Sequence, residues 1–392
     1  MTQAVLRPSI ALLVAISALQ PIALNILAPA TPVLARHFQT NFATIQLSLT
    51  IFLIAVALSQ LVIGPLSDRY GRRPCIIGGI VLYIAGSVWG AFTGSTQELI
   101  LSRMLEGVGG GTAFALTRAI IRDTADRNES ARLIATVTMV MVIAPMLSPF
   151  VGGHIVAFAG WRAVFWFMAG SGALVLVYTV LRLHETAPAI GTKQSFLGVF
   201  RAFPELARNS DFTLNVVAVA ATSAAFFGFV AAAPYIVVET MQRSPDVYGA
   251  FFIVTAFGYI CGNYATTRLV ARLDAARTVR LGLVISLAGT AIALGLALLP
   301  GWSPYTLFLP LVLNSFGNGM TIPSGTAEAL SARPELAGSA AGLSGALQLG
   351  AGALASFVLS WTVTLWAPSL VLAMFLFNAA GLLALRSRAR RT

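Results

Sequence analysis

Arg103 and Glu106 stand three residues apart in Arg103-Met-Leu-Glu106-Gly107-Val-Gly109-Gly110-Gly111, inside a long apolar run. On a helix such residues share a face, so a guanidinium and a carboxylate would meet there. Burial and a neighbouring arginine pull the acid's proton affinity in opposite directions. A carboxylate held between those influences can take up and release a proton. Of the 14 acidic residues, Glu106 alone lies well inside an apolar run. An ionisable group in such a place is expensive and is read as functional.

Three further clusters carry chemistry. The first is Gly64-Pro-Leu66-Ser-Asp68-Arg69-Tyr-Gly71-Arg72-Arg73-Pro74, a charged turn between two apolar runs. The second is Ala144-Pro145-Met-Leu-Ser-Pro149-Phe-Val-Gly152-Gly153, where prolines bend a helix and glycines let another approach. The third is Asn25-Ile-Leu-Ala-Pro29-Ala-Thr-Pro32. Polar residues inside other runs are Gln46, Asn215, Asn314, Asn318, Gln348 and Asn378, with Asn314 and Asn318 on one helical face. Each is read either as a cavity group or as a helix–helix hydrogen bond. Phe226, Phe227, Met139 and Met141 are apolar pocket or lipid contacts.

The elements that position these groups follow from composition. The chain is 57% hydrophobic and 10% charged, against about 45–50% and about 25% in soluble domains. A bilayer core needs about 20 apolar helical residues per crossing, and helix is the form that satisfies its own backbone there. Twelve such runs are present: Ser9–Ala30, Thr44–Ile63, Cys75–Phe92, Leu99–Ile121, Leu133–Ala157, Ala163–Leu183, Phe212–Val237, Tyr248–Leu269, Val279–Leu299, Tyr305–Gly325, Gly338–Ser360 and Thr362–Leu385. The expected fold is an all-α membrane protein of 12 transmembrane helices in two six-helix, pseudo-symmetric halves. These halves are residues 1–185 and 211–392, joined by a cytoplasmic linker at 186–210. Ala28-Pro29-Ala30 looks loosely like a signal-cleavage site, but its removal would leave eleven spans where the charge pattern fits twelve.

Placing both termini in the cytoplasm puts 21 basic residues inside and three, Arg36, Arg162 and Arg243, outside, as the positive-inside bias requires. The net charge of +11 sits at the ends of apolar runs, which argues against nucleic-acid binding. Cys75 and Cys261 form no pair motif, and His37, His154 and His184 show no metal-ligand spacing. No cofactor or metal is expected. No phosphate loop ending in Lys-Ser/Thr supports an ATP-driven pump, and no nucleophile or acid–base cluster supports an enzyme.

On the charged turn, the Arg103–Gly111 run and the Ala144–Gly153 run, the chain resembles the major facilitator superfamily, and within it the Bcr/CflA drug/proton antiporters. The resemblance implies a proton-coupled exporter of small amphipathic drugs by alternating access, acting as a monomer in the inner membrane. It implies proton coupling at Glu106 and Arg103 and a substrate cavity including Asn25, Gln46, Pro145, Asn314, Asn318 and Gln348. It also implies a conformational latch of Gly64, Asp68, Arg69, Gly71, Arg72, Arg73 and Asp123, with Arg72 paired to Asp123 and Asp68 facing the start of the eleventh span. Ala337-Gly338-Ser-Ala-Ala-Gly342 and His184-Glu185-Thr186 resemble later landmarks of the group. Two positions depart from its pattern. The first-span acid is replaced by Asn25, and a fourth-span Gln by Glu106. Losing the first acid favours neutral, phenicol- or bicyclomycin-like substrates over permanent cations. The rival reading is an exporter or facilitator of an endogenous metabolite, on the same fold without tight proton coupling.

Overall fold

A computed structural model describes residues 8–124, 137, 144–145, 147–187, 203–333 and 336–389. The chain forms two compact units, Met1–Phe196 and Leu197–Thr392. The described residues are helices joined by short turns, and no strand occurs among them.

In the first unit α1 (Ile10–Ile26) passes through a 3₁₀ turn, Ala28–Ala30, into α2 (Thr31–His37). The sequence predicts a first span ending at Ala30. The chain instead continues through His37, because Pro29 and Pro32 tighten and restart the helix without ending it. Asn41 caps α3 (Phe42–Tyr70) by accepting from Thr44 N. Gly71, at φ +98°, makes the turn into α4 (Arg72–Phe92), a conformation that costs glycine little. Next come α5 (Thr96–Thr124), α6 (Leu147–Ala159) and α7 (Trp161–Arg182). Of the expected fifth span, Leu133–Ala157, most of the first half lies outside the described residues, as do Met139 and Met141.

The second unit opens with α8 (Phe203–Arg208), a short helix within the expected linker. Its Leu206 is buried against Phe212, Val216, Ala329 and Ala340. Then come α9 (Ser210–Tyr235), α10 (Pro245–Ala297), α11 (Pro304–Ser331), α12 (Ala337–Leu365) and α13 (Ser369–Ala389). α10 holds two crossings, Pro245–Leu269 and Arg272–Ala297, kinked at Asp274 with φ +63°. The sequence predicts the last turn at Trp361. It falls instead between Leu365 and Ser369, where Pro368 cannot continue a helix.

Among the described residues, eight segments are long and apolar enough to cross a membrane unaided. α5 and α11 are not among them. Both lie buried against neighbours on the face carrying their polar groups, so surrounding helices rather than lipid solvate those groups. The result is a multi-pass all-α membrane protein.

Candidate functional site

Glycine spacing brings other backbones onto α5. A Cβ at Gly107 would lie 2.7 Å from Phe52 O of α3, and one at Gly110 would lie 3.3 Å from Gln20 Cα of α1. Gly109 meets the backbone of Gly79 and Tyr83 in α4, and Gly152 of α6 packs on the last turn of α1 at Ile26. Close approach of this kind is how membrane helices gain packing energy without a hydrophobic drive.

That packing encloses Arg103 and Glu106, 1% and 0% exposed. Arg103 Nη1 is ion-paired with Glu106 Oε2. Its Nη2 donates to the Ala23 carbonyl at 2.8 Å. α1 ends three residues later, so this carbonyl is among the last four of the helix and needs an outside donor. The guanidinium lies 4.3 Å from the Phe52 ring centroid, a cation–π contact. Arg103 therefore faces inward rather than snorkelling to the membrane edge. Two residues beyond Ala23, Asn25 is fully buried. Its Nδ2 donates to Pro21 O at 2.9 Å, and its Oδ1 has no partner. Gln46 Nε2 donates to Thr31 Oγ1 at 3.3 Å, tying α3 to α2.

The second unit repeats this seam without charge. A Cβ at Gly86 would lie 2.8 Å from Glu106 N, and one at Gly289 would lie 2.7 Å from Asn314 N. Gly109 meets Gly79 and Tyr83, and Gly317 meets Gly282 and Ser286 in the same way. Asn314 thus holds the place of Glu106, and Ser286 that of Tyr83. Ser286 Oγ lies 3.1 Å from Asn314 O and 3.2 Å from Asn318 Oδ1, and Asn378 Nδ2 donates to Asn314 Oδ1 at 3.0 Å. Asn314 and Asn318 act here as helix–helix hydrogen bonds linking α10, α11 and α13. Gln348 reaches only Ser344, one turn back at 3.1 Å. Pro145 is half-buried.

The charged turn centres on Arg72. Its guanidinium pairs with Asp68 at 2.6 Å and Asp123 at 2.9 Å, and also bonds Ser67 Oγ. The expected Arg72–Asp123 pair is therefore present. Arg69 is exposed, stacked 5.2 Å from the Tyr70 ring centroid. Arg73 Nη2 donates to Val180 O at 3.0 Å, and Gly64 lies in open space within α3. Sequence reasoning marks Glu185 only as part of the His184-Glu185-Thr186 landmark and misses its contact with this turn. Its Oε1 accepts from Arg72 N at 2.8 Å and from Thr186 N and Ala187 N at 3.0 Å, and its Oε2 accepts from Arg73 N at 3.1 Å. Burial opposes ionisation, but the four backbone donors outweigh it and hold the carboxyl below its usual range. An anion at the start of a helix also meets the positive end of its dipole. A signal for it exists: α4 begins with two arginines and no acidic residue of its own.

The family model described as "Major Facilitator Superfamily" matches residues 13–356. An uncharacterized MFS-type transporter of Bacillus subtilis is 26% identical over 341 residues, covering 86% of this chain and 85% of that protein. A bicyclomycin resistance protein homolog of Haemophilus influenzae is 25% identical over 360 residues, covering 91% and 89%. The multidrug transporter MdfA of Yersinia pestis is 26% identical over 299 residues, covering 76% and 73%. Among solved structures, a D-xylose-proton symporter superposes with a TM-score of 0.76 at 17% identity, covering 96% and 95%. That likeness speaks to the fold.

Proposed function

Because the chain belongs to the major facilitator superfamily, whose members are transporters rather than enzymes, we propose that it exports small amphipathic molecules across the inner membrane in exchange for protons, with both termini in the cytoplasm. The buried Arg103–Glu106 pair carries this reading. Glu106 binds the proton, Arg103 balances its charge, and proton and substrate occupy the protein in alternation. Each inward-moving charge supplies about 2.3 kcal/mol per 100 mV. The similarity to a bicyclomycin resistance homolog and a multidrug transporter supports a drug-like substrate. Asn25 brings no charge to the first span, which supports neutral over permanently cationic cargo. It can also donate and accept hydrogen bonds. The Arg72 hub, with Asp68 and Asp123, acts as the latch of the conformational cycle, and the chain works as a monomer.

The test uses proteoliposomes with an imposed pH gradient, a neutral phenicol and a quaternary ammonium compound. Wild type accumulates the phenicol uphill while protons cross in the opposite direction. Glu106→Gln abolishes uphill transport and keeps downhill exchange. Undiminished uphill transport in Glu106→Gln refutes the proton site. Strong uphill export of the quaternary cation refutes the neutral preference.

A further inference from the structure

We propose that Tyr83 is the second partner of Glu106. Its hydroxyl donates, through one bridging water, to the carboxylate oxygen that Arg103 leaves open. The inference rests on the reading of Glu106 as the proton site. Oε2 of Glu106 is taken by Arg103, while Oε1 is buried without a hydrogen bond. The Tyr83 hydroxyl is also buried without one, in a side chain 0% exposed. One atom is an acceptor and the other a donor. Unpaired buried polar atoms are rare, because each carries the full cost of its desolvation.

Packing sets the two side by side. Gly86 lies one turn beyond Tyr83 on α4, and a Cβ there would come 2.9 Å from Glu106 Cγ. Gly172 of α7 receives the Tyr83 ring, which a Cβ would meet at 2.9 Å. The Glu106 charge is near enough to act on the phenol, whose hydroxyl also faces Ser171 of α7, and Ser171 Oγ itself donates to Met168 O at 2.9 Å. Ser87, also on α4, faces the same carboxylate, although its hydroxyl donates to Tyr83 O at 2.9 Å. The other half gives independent support. Ser286 occupies the place of Tyr83 there, and its hydroxyl is engaged with Asn314 and Asn318. The seam without a titratable group closes its hydrogen bonds at this position, and the seam with one leaves a donor waiting. Arg103 and Tyr83 thus hold opposite oxygens. The phenol stabilises the ionised carboxylate and is released when the proton arrives.

The experiment is pH-difference infrared spectroscopy of the purified protein, read in the carboxylic-acid C=O band, for wild type, Glu106→Gln and Tyr83→Phe. Phenylalanine keeps the ring in the Gly172 pocket and removes only the hydroxyl. Losing a hydrogen bond to the charged form moves protonation to higher pH. Tyr83→Phe is therefore expected to shift the band's midpoint alkaline by about one pH unit, tenfold in proton affinity, and to shift its frequency. A change in stability alone would move neither. If Glu106→Gln removes the band while Tyr83→Phe leaves midpoint and frequency unchanged, the Tyr83 contact is wrong and the proton site stands. If the band persists in Glu106→Gln, both fall.

Discussion

The α4–α5 seam of the first unit and the α10–α11 seam of the second are the same joint with different contents. In both, glycines bring one backbone to within contact of the next: Gly79, Gly86 and Gly109 in the first, Gly282, Gly289 and Gly317 in the second. In the first the joint encloses an arginine–glutamate pair, with the phenol of Tyr83 and one carboxylate oxygen unpaired. In the second it encloses Ser286, Asn314, Asn318 and Asn378, bonded to one another, with Asn378 Oδ1 unpaired. The same glycine-lined scaffold therefore holds a charged joint in one unit and a neutral one in the other. An ion pair buried in a medium poor in water is a weak source of stability. Its retention beside a neutral counterpart argues that it serves a cycle.

The largest expected effect tests whether the joints are equivalent. Gly86→Val and Gly289→Val each drive a side chain into backbone, and both are expected to lose nearly all folded protein in fluorescence-detected gel filtration. Survival of one with collapse of the other breaks the equivalence. Next comes the content. Arg103→Ala leaves a buried carboxylate without its counter-ion and is expected to cost about 3–5 kcal/mol, read as thermal melting in detergent. Adding Glu106→Gln should restore much of that stability without restoring transport. Asn378→Ala removes one neutral bond and should cost about 1 kcal/mol with transport kept. Equal losses in Arg103→Ala and Asn378→Ala would mean that the two joints do not differ in kind.

The smallest effect lies at the end of the first joint, where Glu185 clamps the start of α4. Its carboxyl is held below the usual range, so it contributes stability above its unfolded value near 4.3. That contribution is lost as pH falls through the lower, folded value. Wild type is therefore expected to lose melting temperature in that acidic window. Glu185→Gln should melt lower at neutral pH and lack that step. An identical acid profile in both proteins would remove Glu185 from the clamp.

Much of this architecture is legible in the order of the residues. The i, i+3 spacing of Arg103 and Glu106 implies their pairing, and the alternation of apolar runs with arginines implies the helices. The Arg72–Asp123 contact follows only from family resemblance, because nothing local joins residues 51 apart. Asn314 and Asn318 stay open between cavity and helix contact, since spacing gives a face but not which neighbour covers it. Tyr83 carries no sequence signal at all: a lone tyrosine in an apolar run is ordinary, and only its buried, unpaired hydroxyl sets it apart.

The repeated joint also shows where the chain tolerates a change of length. Twenty residues separate Gly86 from Glu106, and 25 separate Gly289 from Asn314, yet the contacts at the joint agree. Three of the five extra residues fall where the chain reverses, at Thr93–Ser95 in one unit and Leu298–Ser303 in the other, and two lengthen α10 beyond Gly289. In the second turn, Gly301 at φ +83° sits in open space. That turn takes up length while the glycine contacts of the joint stay the same. The same turn is where an epitope or a small fluorescent reporter can be spliced into the transporter with the joint undisturbed.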